Sequence, residues 1–273
     1  MKHFFVITNE SKDKDFKVTS QISEYIRKNG GVALHGQASE MPDDTQAALV
    51  LGGDGTLLQA ARELFERDIP LIGVNLGTLG FMAEVELTQL ERALDALLTD
   101  AFTIEKRMML DGVLADLAGK NCSSISHALN DIVVTRKGNL CVLPFDVYVN
   151  GQFLATYQAD GILIATPTGS TGYNMSAGGP IANPEAELIL LTPICPHTLS
   201  HSSIILSEHD EIEIVLGEGR EGSLEALISF DGANEMTIKS GYRLKVKKSM
   251  QYTRLLRISQ AGFLENLHRK MSR

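Results

Sequence analysis

Residues 47–56 read Ala47-Ala48-Leu49-Val50-Leu51-Gly52-Gly53-Asp54-Gly55-Thr56. Five apolar residues in a row, Ala47–Leu51, suit a strand buried on both faces, as strands of parallel sheets are. The glycine turn opens onto a helical pattern over about Thr56–Arg67. A strand that runs through glycines into a helix lets backbone N–H groups approach phosphate oxygens, and the helix N-terminus adds partial positive charge. Gly52, Gly53, Gly55 and Thr56 are therefore the expected phosphate-contacting positions. Asp54 is out of place in a plain phosphate cradle, because its carboxylate repels a polyphosphate. It becomes useful beside a metal ion, or as acceptor of a hydroxyl proton, and both uses point to phosphoryl transfer. The bland alternative is an Asp-Gly turn capping a helix.

The flanking sequence carries the same alternation. Phe4–Thr8, Val32–His35 and Pro70–Val74 read as strands; Lys14–Lys28 and Thr88–Leu98 read as helices. Helices interleaved with short apolar strands imply a parallel sheet covered on both faces. From Phe102 onward the period changes to two, over Leu143–Val149, Gly161–Ala165, Glu211–Val215, Leu224–Phe230 and Tyr242–Val246, with Asn150-Gly151 and Ser240-Gly241 as turns. The expected architecture is an α/β N-terminal Rossmann-like domain with a parallel sheet (1–101), then a β-rich, β-sandwich-like domain (102–258). Residues 259–273 are expected as a helix packing back on the first domain.

Composition narrows the class. With 273 residues, 44% hydrophobic and 22% charged, the chain has the make-up of a globular protein of one large or two ordinary domains. A net charge of −9 does not suit nucleic acid as a partner. From Lys239 onward ten Lys/Arg face a single Glu, but Arg243, Lys245 and Lys247 fall at period two, as on the solvent face of a strand. Three separated cysteines, Cys122, Cys141 and Cys195, form no metal-ligand or disulfide pattern. The opening MKHFFVITNE has too short an apolar stretch for a signal peptide, and no apolar run nears membrane-span length. A soluble cytoplasmic protein with reduced thiols, and no membrane partner, is expected.

Neither a Walker-type GxxxxGK[ST] nor a GxGxxG after the first strand is present. A second glycine turn, Asn75-Leu76-Gly77-Thr78-Leu79-Gly80-Phe81, follows the strand Pro70–Val74 and should line the same sheet edge; Phe81 can lie against a purine or fill the core. Asp160–Tyr173 runs from an apolar strand into a turn dense in hydroxyls and glycines, continued by Asn174 and Ser176, with Tyr173 as a stacking surface. Asn130-Asp131 suits two ribose hydroxyls or starts a strand. His127, His197 and His201 form no triad or metal spacing.

Together these stretches resemble the bacterial NAD kinases over nearly the whole chain. The matching segments are GGDGT at 52–56, NLGTLGF at 75–81, Glu105–Met108, ALND at 128–131, DGILIATPTGSTGYNMS at 160–176 and LTPICPHTLS at 191–200. The resemblance implies transfer of the ATP γ-phosphoryl group to the adenosine ribose 2′-hydroxyl of NAD. It further implies Mg²⁺ and a homodimer or homotetramer; with no carboxylate cluster for an all-protein cage in the sequence, the ion is expected mainly on ATP oxygens. Carried over by position, Asp54 is the base, and Gly55 and Phe81 meet the dinucleotide. Asn130 and Asp131 hold NAD, and Asp160 faces its other end. Thr171, Gly172, Tyr173, Asn174, Met175 and Ser176 line the adenosine and nicotinamide pockets, while Gln158 and Ala233 border NAD. Three positions depart from the pattern: Gly172 replaces the usual Ala, Ser202 a common Arg, and Ala233 a polar residue. Open alternatives are polyphosphate as donor, a lipid or sugar kinase sharing GGDGT, and a non-catalytic NAD(P)-binding regulator.

Overall fold

The computed structural model describes residues 1–77, 80–116, 118–138, 141–197, 202–219, 222–258 and 262–272, with only the backbone at 234. Thr78 and Leu79 of the second glycine turn, and residues 198–201 with His201, lie outside the described residues. The chain divides into two compact units, Met1–Arg107 with Tyr252–Arg273, and Met108–Gln251.

The first unit contains β1 (His3–Thr8), α1 (Lys17–Lys28), β2 (Val32–His35), β3 (Ala47–Gly52), α2 (Asp54–Glu63), β4 (Leu71–Asn75), β5 (Val85–Glu86) and α3 (Leu90–Leu98). Its strands pair in parallel in the order β2-β1-β3-β4. All six residues of β3 are buried, as its apolar run requires. Leu90, Ala93, Leu94 and Leu97 put one stripe of α3 into the core, where they meet Ile22 and Ile26 of α1 and the side chains of Phe4, Val6, Leu49, Leu51, Ile72 and Val74. Two boundaries differ from the sequence reading. Helix α1 starts at Lys17 rather than Lys14, because Asp15 and Phe16 take positive φ of 58° and 53°. Helix α2 starts at Asp54 rather than Thr56, which places the carboxylate in the first helical turn.

Strand β6 (Thr103–Ala115) carries the chain into the second unit. There follow β7 (Ser126–Ala128), β8 (Asp131–Arg136), β9 (Leu143–Val149), β10 (Gln152–Ala159), β11 (Gly161–Ala165), α4 (Tyr173–Ser176), β12 (Leu188–Ile194), β13 (Ile204–Ser207), β14 (Ile212–Leu216), β15 (Glu225–Phe230), β16 (Ala233–Lys239) and β17 (Arg243–Arg257). One antiparallel sheet runs β13-β12-β11-β8-β15-β16; another runs β10-β9-β14-β17. Gly112 of β6 lies under Phe230 so closely that a Cβ there would stand 2.6 Å from the ring. Strand β17 runs well past Val246, where period-two apolarity had suggested an end, because Ser249 and Thr253 are buried polar residues that interrupt the pattern. Its last turn of chain pairs Leu255 in parallel with Leu71, so the division between units falls inside this strand. Helix α5 (Phe263–Met271) belongs to the first unit. No helix among the described residues is long and apolar enough to cross a membrane.

Candidate active site

In the first unit, the strand order reverses between β1 and β3. Loops leaving the C-terminal ends of such strands depart to opposite faces and open a crevice, the usual ligand position of doubly wound sheets. A cavity of about 590 Å³ occupies that place, lined by Thr8, Asn9, His35, Thr56, Gln59 and Glu63 among others. Phe16, in its left-handed conformation, sets its ring 5.6 Å from that of His35 at the same cavity.

Behind the cavity, Gly52 and Gly53 pass from β3 into α2. A Cβ at Gly52 would lie 2.2 Å from Thr56 Oγ1, so this glycine lets the helix start directly against the strand. A Cβ on Gly55 would meet no described atom within 4 Å, so its bareness serves no internal packing. Asp54 is half-buried and gripped from the second glycine turn. Its Oδ2 accepts the Phe81 N–H at 2.7 Å, and its Oδ1 accepts those of Met82 and Ala83 at 3.1 and 3.3 Å. A carboxylate has about four lone-pair sites, so these bonds leave one acceptor position, on Oδ2. Gly80 is obligatory for this approach: a Cβ there would sit 1.8 Å from Asp54 Oδ1.

The sequence reading missed Lys12. Its Nζ lies 3.2 Å from the Cβ position of Gly53 and 3.8 Å from that of Gly77, against both glycine turns. The loop that presents it is tied down: Lys12 N–H donates to Asn9 O at 2.9 Å, and Asn9 Nδ2 reaches Thr56 Oγ1 at 3.4 Å. A lysine among the charges of Ser11-Lys12-Asp13-Lys14 carries no motif; its position after β1, beside the switch point, was the available signal. Phe81 is half-buried, with Lys270 Nζ of α5 at 3.9 Å from its ring centre, so it meets a cation instead of filling the core.

In the second unit part of the set expected around NAD, Gly172 and Tyr173, lies about Asn130-Asp131. Asp231, at positive φ on the turn between β15 and β16, accepts the N–H groups of Leu129, Asn130 and Asp131 at 2.8, 2.7 and 3.1 Å. Thr166 of the hydroxyl-rich turn donates to Leu129 O at 2.6 Å, and Gly169 lies directly on Asn130 O, 2.1 Å from where a Cβ would stand. Asn130 Oδ1 is buried without a hydrogen-bond partner among the described residues, an acceptor awaiting a donor. Burial, and then the charge of Asp231, push the Asp131 carboxyl up to about 7. Burial also raises the Tyr173 phenol, with the fields of Cys195, Asp131 and Asp160 adding to it, which puts this ring among those groups.

Thr171, Gly172, Tyr173, Met175 and Ser176 are half-buried or exposed at this turn. Asn174, expected to line the pocket, faces inward instead. It is fully buried, Nδ2 donates to Pro180 O at 2.9 Å, and Oδ1 accepts the Thr192 hydroxyl at 2.7 Å. Its side chain therefore holds the loop. Asp160 is half-buried beside Arg136, Ala233 follows the Asp231 turn, and the Gln158 side chain is exposed on β10. Asp231 itself was not singled out as a site residue from sequence, since Asp-Gly looks like an ordinary hairpin turn.

Comparison with known proteins gives a single answer. The family model for the ATP-NAD kinase N-terminal domain matches residues 5–102, and that for the C-terminal domain matches residues 129–258. A protein called NAD kinase from Agathobacter rectalis is 46% identical, with 99% of each chain covered; one from Lachnospira eligens is 40% identical, over 99% of this chain and all of the other. Among solved structures, an NAD kinase from Archaeoglobus fulgidus in complex with ATP aligns with a TM-score of 0.82 at 23% identity, over 99% of this chain and 98% of that one. A yeast NADH kinase complexed with NADH aligns equally well, over 100% and 88%. At that identity these two speak for the fold alone.

Proposed function

The chain belongs to the NAD kinase family, phosphotransferases that use ATP with a divalent metal, and we propose residue roles for that reaction here. The ATP γ-phosphoryl group moves to the 2′-hydroxyl of the adenosine ribose of NAD. The bond between the γ-phosphorus and its bridging oxygen breaks, a bond to the ribose oxygen forms, ADP leaves, and the hydroxyl proton passes to the carboxylate of Asp54. Full-length family membership sets aside the lipid-kinase, sugar-kinase and regulator readings.

The observation that carries these roles is the grip on Asp54. Three backbone N–H groups fix the carboxylate at the start of α2 and leave one acceptor position on Oδ2 for a hydroxyl proton. Gly52, Gly53, Gly55 and Thr56 present amides and a helix N-terminus to the phosphates, and Lys12 brings a cation to both glycine turns. The cavity at the switch point suits the donor nucleoside, with Phe16 and His35 as its aromatic wall. Asn130, Asp131, Asp160, Tyr173 and their neighbours hold NAD. Asn130 Oδ1 is the acceptor for a donor on the ligand, and Asp131 takes a hydroxyl.

Among the described residues no group of three or more His, Cys, Asp or Glu could cage a metal ion. The glycine turns offer amides, a hydroxyl, an ammonium and the single carboxylate of Asp54, a set that suits an ion carried mainly on nucleotide oxygens and water. When bound there, Mg²⁺ would neutralise charge building on the transferred group. The enzyme works in the cytoplasm as a homodimer or homotetramer.

Purified protein with ATP, Mg²⁺ and NAD, read through an NADP-specific dehydrogenase, tests the roles. Asp54→Asn is expected to lower kcat by about 100-fold or more while NAD still binds. Wild-type turnover in that variant would remove Asp54 from the mechanism.

A further inference from the structure

The Asp54 grip hangs on a segment, Gly80–Glu84, that is itself anchored from elsewhere in the first unit. Gly73 of β4 has no side chain to hold Ala83 away; a Cβ there would stand 3.0 Å from Ala83 Cα. Glu84 N–H donates to Gly73 O at 3.0 Å. The Glu84 carboxylate then reaches the far end of β17. Its Oε2 accepts Arg257 Nη1 at 2.6 Å, and its Oε1 accepts the Ile258 N–H at 2.9 Å. Arg257 also donates through Nε to Glu105, and Glu105 pairs with Arg107 at 2.7 Å. The side chains of this alternating row are 3–18% exposed.

Two positive and two negative groups are thus withdrawn from water in a line that ends at Glu84, the residue directly after the last of the three donors gripping Asp54. Burying charges is expensive, and a buried ion pair commonly adds little stability over well-packed apolar side chains. What it does supply is geometry. A guanidinium bridging two carboxylates through separate nitrogens has a fixed plane and fixed directions, which an apolar contact lacks. The row therefore sets where Glu84 lies, Glu84 sets the backbone of residues 81–83, and that backbone sets the carboxylate.

We infer that Glu84 and Arg257 are positioning residues for the phosphoryl transfer, acting through the Phe81, Met82 and Ala83 amides on the orientation of Asp54. This rests on Asp54 being the base, as argued above. Neither residue has to touch substrate. Loosening the row leaves the nucleotide contacts in place and spoils the line between the carboxylate and the hydroxyl, where a displacement of about 1 Å can cost roughly 100-fold.

Glu84→Gln keeps the shape and the Ile258 contact while removing the charge. It is expected to lower kcat about tenfold or more, with KM for NAD and for ATP within about twofold of wild type. The discriminating measurement is the double variant with Asp54→Asn. If Glu84 acts through Asp54, adding Glu84→Gln to Asp54→Asn costs nothing further in kcat. Losses that multiply in the double variant, or a Glu84→Gln enzyme with wild-type kcat, overturn the inference while leaving Asp54 as base. A wild-type kcat in Asp54→Asn alone would instead bring down the base assignment. Should Glu84→Gln fail to fold by circular dichroism, Arg257→Lys replaces it. That variant keeps the charge but loses the planar fork whose separate nitrogens fix Glu84 and Glu105 in direction, and it must show the same kcat loss and the same coupling to Asp54.

Discussion

Asp131→Asn is the substitution whose effect on the folded protein can be worked through most fully. Burial first, and the Asp231 charge second, push this carboxyl from an ordinary 3.8 up to about 7. Between those two values the folded chain holds a proton that the unfolded chain has released. Stability must therefore fall as pH rises through that window, and stay level below and above it. At about 1.36 kcal/mol per unit, the separation corresponds to roughly 4 kcal/mol of stability lost by pH 8. Asn has the shape of the protonated acid and does not titrate. The variant should match wild type near pH 4 and exceed it by up to roughly 4 kcal/mol at pH 8. Urea melts of both proteins at pH 4, 6 and 8, without nucleotide, give the difference directly. Parallel stabilities across the series would refute the reasoning, because they would mean Asp131 is as well solvated folded as unfolded. A gain in stability accompanied by weaker NAD binding would show a group kept for its ligand at a cost to the fold.

Two further outcomes are expected from the glycine turns. Gly80→Ala forces a Cβ into the space 1.8 Å from Asp54 Oδ1, so the carboxylate or the turn must move; kcat should drop about 100-fold, and an unchanged kcat would show that the Asp54 contact is dispensable. Lys12→Met keeps the length of the side chain without its charge. A charged hydrogen bond is worth about 1.5–3 kcal/mol, so kcat/KM for ATP should fall roughly 10- to 100-fold in initial-rate assays, with KM for NAD little changed.

The parts of this molecule that declare themselves in sequence are local. Ala47–Leu51 running into Gly52-Gly53 has a strand period, a breaker and a helix start within a dozen residues, and the structure has all three. What escapes is long-range or broken in period. Nothing near Asp54 says that its partners are the amides of residues 81–83, nor near Glu84 that its counter-ion is Arg257. Strand β17 hides most of its length because buried Ser249 and Thr253 look like surface residues. Asn174 belongs to a polar run that suggests a continuous hydrogen-bonding surface, yet the short helix α4 turns it and Tyr173 to different surroundings, one buried and one exposed. Lys12 lies in a stretch where every neighbour is polar, so only the tertiary approach of Gly53 and Gly77 distinguishes it.

The division of the chain imposes an order of events on its biosynthesis. Met108–Gln251 is made in one piece, and the sheet β13-β12-β11-β8-β15-β16 that lies wholly within it can form as soon as it has emerged. Met1–Arg107 is made earlier but lacks Tyr252–Arg273, which brings Leu255 to β4, Arg257 to Glu84 and Lys270 to Phe81. The unit translated first is therefore completed last, and until then Glu84 has no guanidinium from β17 to close against. A nascent chain carries its glycine turns long before it carries the anchor for them, so the capacity for phosphoryl transfer arrives only once the later unit has been passed.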